Sequence, residues 1–390
     1  MNNAIERRRL LSGAGAVLCL STLPRCAAQL AGREPSPPGI QLTPLAASAD
    51  RISRITVCTR PFRAYGPRLD VEKIAGKSVV HNYGHGGSGW SLSWGSGEIA
   101  AAKAMATGER DIAVIGCGAL GMTSALLLQR SGARVTIYAK DVPPNVRSSL
   151  ATGLFTPDSR ICQEEYATPE FKTVWQAMCR KSYQTYSTLL QLPGNPVEFI
   201  DNYEVADAPR RVAYDPAEAQ PDFAELQSEL TPELLPRGRT YSPGQHPFGN
   251  RSVRRTSSLM FNIAGYSRYL LAQFRSNGGR IVLREFHSPD EFGTLPEKTL
   301  VNCTGYGARA LLGDNSIIPV RGQLARMAPQ PGVHYALSYR ATLFLARRDE
   351  FVFQHFTGEA QGFNDESTEP DRSEAETAVD TIGQLFATGV

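Results

Sequence analysis

Residues 110–141 read RDIAVIGCGALGMTSALLLQRSGARVTIYAKD, and this stretch decides the fold class. The run Ile112–Ile115 is apolar throughout, which is typical of a strand buried on both faces. The spacing of apolar residues over Ala119–Ser131 predicts a helix that Gly132 ends, and Arg134–Tyr138 follows as a second strand. Strand, helix and strand in this order form a βαβ unit, so the sequence predicts an α/β fold with a parallel sheet.

The turn between the first strand and the helix reads GCGALG and matches the pattern G-x-G-x-x-G. Glycines here permit a tight turn, a close approach of the backbone to a pyrophosphate, and close packing of the helix on the strand. In a βαβ unit this pattern predicts a dinucleotide site. Its residues would be Gly116, Cys117, Gly118 and Gly121. The acidic residue that usually binds the adenosine ribose is represented only by Asp141, slightly after the second strand, so the motif alone leaves FAD and NAD as alternatives.

The length and composition are those of a globular protein with more than one core. The chain has 390 residues, which favours two domains or one domain with a large insertion. Hydrophobic residues make up 42% of the chain and charged residues 20%. No apolar run reaches the roughly 18–20 residues of a membrane span, so no membrane-spanning helix is expected.

The N-terminal segment has the features of a twin-arginine export signal. The arginines Arg7–Arg9 precede the apolar stretch Leu10–Leu23, and small residues follow up to Ala28. We therefore expect residues 1–28 to be a signal peptide that the twin-arginine export machinery reads and that directs the protein to the periplasm or out of the cell. The alternative is a basic N-terminal tail on a cytosolic protein.

The same segment accounts for the net charge of the chain. The formal charge is +3, but residues 1–28 hold four arginines and one glutamate. The remainder has equal numbers of basic and acidic residues, so the charge balance does not indicate a nucleic-acid partner.

The cysteines are scattered along the chain without C-x-x-C spacing. Two of the seven lie in the expected signal, and five remain, which argues against a disulfide framework and against a zinc site. Lipid attachment at Cys26 is disfavoured because Arg25 stands where a small residue is required. The seven are Cys19, Cys26, Cys58, Cys117, Cys162, Cys179 and Cys303.

Other elements can be predicted from local patterns. Residues 29–50 are rich in Pro, Ala and Ser, which predicts a linker, and a strand is expected to end at Pro61. The polar stretch Asp207–Gly249 is expected to hold loops and active-site cover, and Ser338–His355 is expected to form a β-hairpin. Helices are predicted from an N-cap at Ser96, over Phe171–Leu190, and from Ser367 or Thr368 towards the C-terminus.

Four further segments resemble the D-amino-acid oxidase family of FAD enzymes. They are TRPFRAYGPRLDVE (Thr59–Glu72), HNYGHGGSGW (His81–Trp90), SSLATGLFTP (Ser148–Pro157) and LVNCTGYGARALLGD (Leu300–Asp314). The first two match nearly residue for residue, and the resemblance covers most of residues 52–390. It implies FAD as the cofactor, a Rossmann-type FAD-binding domain with a parallel sheet, and a substrate domain with a mixed sheet. The FAD-binding parts would be residues 77–160 and 280–325, and the substrate-domain parts would be residues 52–76, 161–279 and 326–390.

The order of these segments differs from the family's order. In the family the dinucleotide motif opens the chain, and the segments that resemble Thr59–Glu72 and His81–Trp90 close it. The resemblance therefore implies a circular permutation, which proteins tolerate because domain termini often lie close together at the surface. The family's last helix would join its first strand through Met105–Asp111, and the new break would lie between a helix ending near Phe386 and a strand starting near Ile52.

The resemblance also implies roles for individual residues. Arg60 would bind the substrate carboxylate, which suits a guanidinium with two parallel donors. Gly87 would offer its carbonyl to the substrate amine, and Gly86–Ser91 would wrap the flavin ring. Tyr339 falls on the first of two tyrosines of a substrate hairpin, although it is equally explained as an ordinary strand aromatic, and Leu343 replaces the second. The other residues implied to bind FAD are Ser88, Gly89, Trp90, Ser91, Lys140, Asp141, Arg147, Ser148, Gly153, Leu154, Thr304 and Gly305.

The resemblance implies oxidative deamination of a D-amino acid to a 2-oxo acid, ammonia and hydrogen peroxide. A hydride would pass from the substrate Cα to flavin N5, and molecular oxygen would reoxidise the cofactor. The alternatives are an amine or glycine-type dehydrogenase that passes electrons to another acceptor, and a non-catalytic flavin-binding protein. No metal is expected, because the glycines around His81 and His85 disfavour a helix and no third ligand is evident.

Overall fold

The structure is a computed structural model that describes residues 39–207, 222–235, 237–356, 358 and 361–387. The expected export signal, with Cys19 and Cys26, lies outside the described residues, as does the first part of the expected linker. None of the helices in these ranges is both long and apolar enough to cross a membrane.

Strands and helices alternate along most of the described chain. The strands are β1 (Arg54–Arg63), β2 (Val71–Ile74), β3 (Lys77–His81), β4 (Asp111–Ile115), β5 (Arg134–Ala139), β6 (Val197–Ala206), β7 (Arg239–Tyr241), β8 (Ser252–Phe261), β9 (Arg280–Leu283), β10 (Thr299–Asn302), β11 (Ile317–Met327), β12 (Ala336–Tyr339), β13 (Thr342–Ala346) and β14 (Phe351–His355). The α-helices are α1 (Gly89–Met105), α2 (Ala119–Arg130), α3 (Pro169–Ser187), α4 (Gln227–Leu230), α5 (Ile263–Ser276), α6 (Ala308–Leu312) and α7 (Arg372–Ala387). Short 3-10 turns cover Ala49–Arg51, Arg147–Leu150, Glu164–Tyr166, Pro232–Leu234, Pro289–Thr294 and Gly305–Gly307.

The smaller of two sheets has six strands in the order β2-β3-β10-β4-β5-β9. All neighbours are parallel except β2 and β3. The predicted βαβ unit is confirmed as β4, α2 and β5, with bounds within one residue of those expected. Helices pack on one face of this sheet, and a cluster around Phe292 and Leu311 covers the other. Burial on both faces explains why β4 is apolar from Ile112 to Ile115.

The larger sheet has eight strands in the order β1-β11-β14-β13-β12-β6-β8-β7. It is mixed, because β12 and β6 are parallel and the other neighbours are antiparallel. Helix α7 packs on one face and contributes Ala375, Val379 and Ile382 to the core there. A parallel sheet beside a mixed sheet is the α/β architecture that the sequence predicted.

Helix α1 starts seven residues before the expected N-cap at Ser96, which is therefore wrong. Its cap position is Ser88. Gly95, inside α1, is required by helix packing: a Cβ on it would lie 2.2 Å from the carbonyl oxygen of Met178 in α3. Glycine lets two helices approach here more closely than any side chain would allow.

Other bounds also differ from expectation. Strand β1 continues past Pro61 to Arg63. It is an edge strand, where a proline is tolerated because its missing N–H is not needed for pairing with a neighbour. Helix α3 starts and ends earlier than expected, and α7 begins at Arg372 instead of near Ser367 or Thr368. Within the expected linker, Ile40 and Leu45 are buried in the core that α7 covers, so residues 40–48 are not a free linker.

Strands β2 and β11 each belong to a different sheet from the one that the sequence predicted. Strand β2, assigned to the substrate domain with residues 52–76, pairs with β3 in the parallel sheet, because Ala75 and Gly76 have the positive φ of a two-residue hairpin turn. Strand β11, most of which was assigned to the FAD-binding part 280–325, pairs with β1 in the mixed sheet over ten residues.

Candidate active site

A cavity of about 1320 Å³ opens at the carboxyl ends of β4, β5 and β10. Ligands of parallel α/β sheets bind at this edge, because helix N-termini and strand-to-helix turns meet there. The cavity continues to the mixed sheet, where Gly322 and Leu324 of β11 and Gln354 of β14 line it. One space therefore joins a dinucleotide turn to a second, chemically different end.

The dinucleotide turn depends on contacts that only glycine permits. Gly116 has φ +106°, and a Cβ on it would lie 2.6 Å from the carbonyl oxygen of Cys303. A Cβ on Gly121 would lie 2.0 Å from the carbonyl oxygen of Gly116. Gly116, Cys117 and Gly118 line the cavity, whereas Gly121 does not and serves to press α2 against the turn. The N-terminus of α2 therefore points at the cavity, where its dipole favours an anion such as pyrophosphate.

The expected ribose end lies beside the C-terminus of β5. Lys140 and Asp141 both line the cavity. Lys140 Nζ lies 3.4 Å from Glu285 Oε1, and both side chains are largely exposed. Thr304 and Gly305, which follow β10, line the cavity as expected for the adenine side.

The segment Gly86–Ser91 splits into residues that face the cavity and residues that support it. Gly86, Gly87, Gly89 and Trp90 line the cavity, but Ser88 and Ser91 do not. The Ser88 hydroxyl donates to the carbonyl oxygen of Ser159 (3.0 Å), and Ser91 Oγ accepts the N–H of Thr156 (2.8 Å). These two predicted cofactor residues are therefore corrected to supports. Their outward direction follows from their position at the start of α1, which the sequence argument placed later.

The segment Arg147–Leu154 forms the wall between the two ends of the cavity. Ser148 Oγ accepts the N–H of Ala119 (3.1 Å), and the Ser148 carbonyl accepts Trp90 Nε1–H (2.8 Å). Arg147 lies over the ring of Tyr306, with 4.7 Å from its Cζ to the ring centre. Gly153 has φ +104°, and it lines the cavity together with Arg147, Ser148 and Leu154, as expected.

Three backbone amides of this wall are without an acceptor. Within the described residues, no atom accepts the N–H of Thr152, Gly153 or Leu154, although all three residues line the cavity. Gly153 is buried and the other two residues are partly buried, and backbone N–H groups shielded from water are almost always paired in native proteins. A flat ring with nitrogen and carbonyl acceptors along one edge, such as an isoalloxazine, would pair them, so the residues present fit a flavin.

Arg60 is a partly buried cation without a counter-ion in the described residues. Its Nη1 donates to the carbonyl oxygen of Arg321 (3.1 Å), and its guanidinium covers Gly322, where a Cβ would lie 2.4 Å from that nitrogen. No carboxylate of the described residues lies within 4.0 Å of it. Burial lowers the pKa of Arg60, which means that the charge is costly where it stands. An anionic ligand with two acceptor oxygens would remove that cost.

Tyr339 does not belong to the cavity, and its predicted catalytic role is corrected. The turn Arg340-Ala341 separates it from Leu343, so Tyr339 pairs with Thr342 while Leu343 pairs with Ser338. Because side chains alternate across a sheet, Tyr339 and Leu343 face opposite sides. Leu343 lines the cavity, whereas the Tyr339 hydroxyl lies 3.0 Å from an oxygen of Asp207.

The structure adds wall residues that the sequence did not indicate. Gln354 of β14 accepts a hydrogen bond from the Thr152 hydroxyl (3.0 Å) beside Leu343. Arg160 and Phe356 also line this end of the cavity. Arg160 comes only three residues after the segment SSLATGLFTP, and this proximity was the one available signal for it.

The two histidines of the glycine-rich segment have separate environments. His81 Nε2 lies 2.8 Å from Glu72 Oε1, and its Nδ1 lies 3.1 Å from the Asn302 amide. His85 is buried, and neither ring nitrogen has a hydrogen-bond partner in the described part of the chain. Burial and the nearby Arg63 lower the pKa of His85 to about 3, so it is neutral at physiological pH.

A dinucleotide turn, unpaired amides and an unpaired arginine around one cavity define a class of protein. These features are those of an α/β oxidoreductase that binds a nucleotide cofactor, with a cationic group at the other end of the same cavity. The family model described as FAD dependent oxidoreductase matches residues 111–389, and the chain belongs to this family. Its cofactor is therefore FAD.

Several curated proteins are similar to this chain. The D-amino-acid oxidase of Rubrobacter xylanophilus is 28% identical over 220 residues, which are 56% of this chain and 60% of that protein. The D-amino acid oxidase of Dugesia ryukyuensis is 26% identical over 272 residues, 67% of this chain and 74% of that protein. The match therefore spans less than two thirds of the first of these relatives.

Solved structures of related proteins are similar at lower identity. Iminodiacetate oxidase from Chelativorans sp. BNC1 has a TM-score of 0.47 and 17% identity, over 72% of this chain and 80% of that chain. Glycine oxidase from Bacillus cereus ATCC 14579 has a TM-score of 0.42 and 13% identity, over 64% of this chain and 73% of that chain.

The state of His85 predicts a specific dependence of stability on pH. The unfolded ring takes a proton below about pH 6.5, whereas the buried ring stays neutral down to about pH 3, so protonation favours unfolding between these values. His85→Leu should remove this part of the acid sensitivity. The free energy of unfolding of the variant minus that of wild type should rise by about 1.4 kcal/mol for each pH unit between pH 6.5 and pH 3 as the pH is lowered. Urea denaturation at pH 7 and pH 5, with FAD at one fixed concentration, measures this gain. Parallel pH profiles for the two proteins would contradict it.

Proposed function

We propose that this protein catalyses the FAD-dependent oxidative deamination of a D-amino acid. The observation that carries the proposal is Arg60, a partly buried cation that lines the cavity and has no counter-ion in the described residues. Such a group favours a substrate with a carboxylate, because carboxylate oxygens match the two parallel donors of a guanidinium. The printed names of the similar proteins, which are D-amino-acid oxidases, support the choice of substrate class.

In this proposal the residues of the chain act by orientation and by exclusion of water. Arg60 holds the substrate carboxylate, and the carbonyl of Gly87 accepts a hydrogen bond from the substrate amine. Leu324, Leu343 and Phe356 give the wall at this end an apolar character, which strengthens both interactions. Neither Tyr339 nor Leu343 supplies a hydroxyl to the carboxylate, so Arg60 carries more of its binding.

The cofactor supplies the redox chemistry when it is bound, by accepting a hydride from the substrate Cα. The substrate loses two electrons and becomes an imino acid, which water hydrolyses to a 2-oxo acid and ammonia. Molecular oxygen takes up the two electrons and two protons and leaves as hydrogen peroxide.

We also propose that the chain is a circular permutation of the family's order. The family match begins at residue 111, yet residues 54–105 complete both sheets: β1 pairs along β11, and β3 pairs with β10. They also carry Arg60 and Gly86–Trp90. The residues before β1 lie against α7, since a Cβ on Gly383 would be 2.7 Å from the carbonyl oxygen of Ala47. A former connection from the end of α7 to β1 is compatible with these positions.

We propose, finally, that residues 1–28 direct export through the twin-arginine machinery. The support is the order of arginines, apolar stretch and small residues in the sequence. This route carries folded proteins, which suits an enzyme that must acquire FAD before export.

Arg60→Met tests the proposed reaction. Removing one partner of a buried charge pair costs about 2 kcal/mol or more, so the D-amino acid concentration for half-maximal flavin reduction should rise about 30-fold or more. Anaerobic mixing, followed by the loss of oxidised-flavin absorbance, measures this concentration. D-amino acid amides lack the carboxylate, so their concentration for half-maximal flavin reduction should differ far less between wild type and Arg60→Met. Arg134→Met is the control for loss of a positive charge, since Arg134 is exposed and begins β5, at the opposite end of the strand from the cavity.

The same assay decides against the proposal in several ways. Failure of every amino acid to reduce the wild-type flavin would overturn it in favour of another amine or a binding role. Flavin reduction with little hydrogen peroxide in air would indicate a dehydrogenase. An unchanged concentration dependence in Arg60→Met would remove Arg60 from the substrate site.

A reordered chain tests the permutation. A protein that runs from Arg110 to Ala387, then through a flexible linker to Ile40–Glu109, keeps Ile40 and Leu45 in the core and should fold and bind FAD with wild-type affinity. The measurements are FAD fluorescence on titration and the melting temperature. A chain opened inside α3 with the same linker is the control that should not fold. Loss of FAD binding in the first chain, at every linker length tried, would contradict the proposal.

Replacement of the paired arginines tests the export signal. Arg8→Lys together with Arg9→Lys keeps the charge but removes the feature that the twin-arginine machinery reads. We expect the protein to move from the periplasmic to the cytoplasmic fraction while keeping its FAD. Equal export of the two forms would show that another route carries it.

A further inference from the structure

Two buried arginines lie behind the wall of the cavity and have no part in the reaction proposed above. Arg326 of β11 is fully buried, and Arg347, directly after β13, is 1% exposed. Both are held by acidic residues of the turn between β13 and β14, namely Asp349 and Glu350. We call these four residues the arginine cluster.

The acidic side of the arginine cluster is fully paired. Arg347 Nη2 lies 2.7 Å from an oxygen of Asp349 and 2.7 Å from an oxygen of Glu350, and Arg326 donates to the same Glu350 oxygen. Burial alone would raise the pKa of Asp349, but its hydrogen bonds and charge interaction with Arg347 outweigh burial, and the pKa is lowered. Glu350 also binds the exposed Arg54 (2.8 Å), and burial lowers the pKa of Arg326 to about 10. Each buried arginine of the cluster nevertheless has a carboxylate partner, unlike Arg60.

The other side of the arginine cluster holds the backbone of the cavity wall. Arg347 Nη1 donates to the carbonyl oxygens of Ala151 (2.9 Å) and Thr152 (3.3 Å), and Arg326 Nη2 donates to that of Leu150 (3.0 Å). The next carbonyl, of Gly153, accepts the N–H of Phe261 (2.7 Å). Four successive carbonyl oxygens are therefore bound by groups that are not cavity ligands.

This arrangement accounts for the three unpaired amides of the wall. Leu154 lies opposite Met260 in an antiparallel bridge whose bonds use Gly153 O and Phe155 N, so the N–H of Leu154 points away from β8. With the carbonyl oxygens of residues 150–153 tied back, the N–H groups of Thr152, Gly153 and Leu154 stay without an acceptor in the described residues. The buried arginines keep them available.

We propose that Arg347 and Arg326 are positioning residues that orient these amides toward the acceptor edge of the bound flavin. The inference rests on FAD binding in this cavity, and it does not depend on which substrate the enzyme oxidises. Oriented N–H donors beside a ring stabilise the added electron density of its reduced form. The arginine cluster should therefore strengthen FAD binding and raise the reduction potential of the bound cofactor.

Arg347→Lys tests this inference because it keeps the positive charge and removes the planar guanidinium with its several N–H donors. A lysine cannot bond Ala151, Asp349 and Glu350 together in one plane. We expect FAD to dissociate about tenfold more readily, the equivalent of part of one charge-assisted hydrogen bond, and the midpoint potential to become more negative. Titration of apoprotein with FAD and equilibration with redox dyes measure both quantities without a substrate. Arg348→Lys is the matched control. The Arg348 guanidinium donates to the carboxylate of Glu198 and makes no hydrogen bond with the wall in the described residues.

Gly153→Ala is a second variant that leaves the arginine cluster's charges in place. A Cβ on Gly153 would lie 2.8 Å from Phe261 O and 3.1 Å from Arg347 Cδ, so the wall would have to move away from its anchors. It should change FAD affinity and potential in the same directions, and it keeps the test decisive if Arg347→Lys fails to fold. Wild-type values for both quantities in folded Arg347→Lys or in Gly153→Ala would overturn the inference. A wild-type protein that binds FAD but oxidises no amino acid would overturn only the proposed reaction.

Discussion

The close contact between the backbones of Gly116, Gly121 and Cys303 is the constraint on which the site is built. It fixes the N-terminus of α2 at the carboxyl edge of the parallel sheet, with no room for a side chain between them. From there the contacts run outward: the Ala119 N–H binds Ser148 Oγ, and the Ser148 carbonyl binds the Trp90 indole. The wall and the glycine-rich segment are thus positioned by the same turn that presents the N-terminus of α2, which favours an anion, to the cavity.

Arginine has two distinct uses around the cavity, and the difference lies in the counter-ion. Arg326 and Arg347 are buried beside Asp349 and Glu350, so their charges are compensated and their remaining donors hold backbone. Arg60 is also desolvated but has only a backbone carbonyl as partner in the described chain. A buried charge without a partner is costly, and a protein retains it where a ligand supplies the partner. The paired arginines therefore hold the backbone of the wall, and Arg60 is the arginine that we propose to bind the substrate.

The sequence was sufficient wherever local pattern and tertiary structure demand the same residues. The βαβ unit was predicted to within one residue, because burial on both faces makes β4 apolar and the turn needs its glycines. Arg60 and Gly87 followed from resemblance and lie at the cavity. Ser96 failed as a cap, because Gly95 is a helix-packing residue and this depends on α3. Tyr339 failed because a hairpin turn, visible only in strand pairing, puts it on the opposite face from Leu343. The arginine cluster joins residues far apart in the chain and leaves no local pattern.

The way the cavity is assembled is compatible with the changed order of segments that we propose. Each segment follows or belongs to a strand that is held by pairing along its own length: Arg60 on β1 against β11, Gly86–Trp90 after β3 against β10, and Gly116–Gly118 after β4. The pairing partners, and not the connections, determine where each side chain stands. A connection can therefore be opened at one surface and made at another, provided that no paired strand is cut and that the contacts of Gly116 and Gly121 survive.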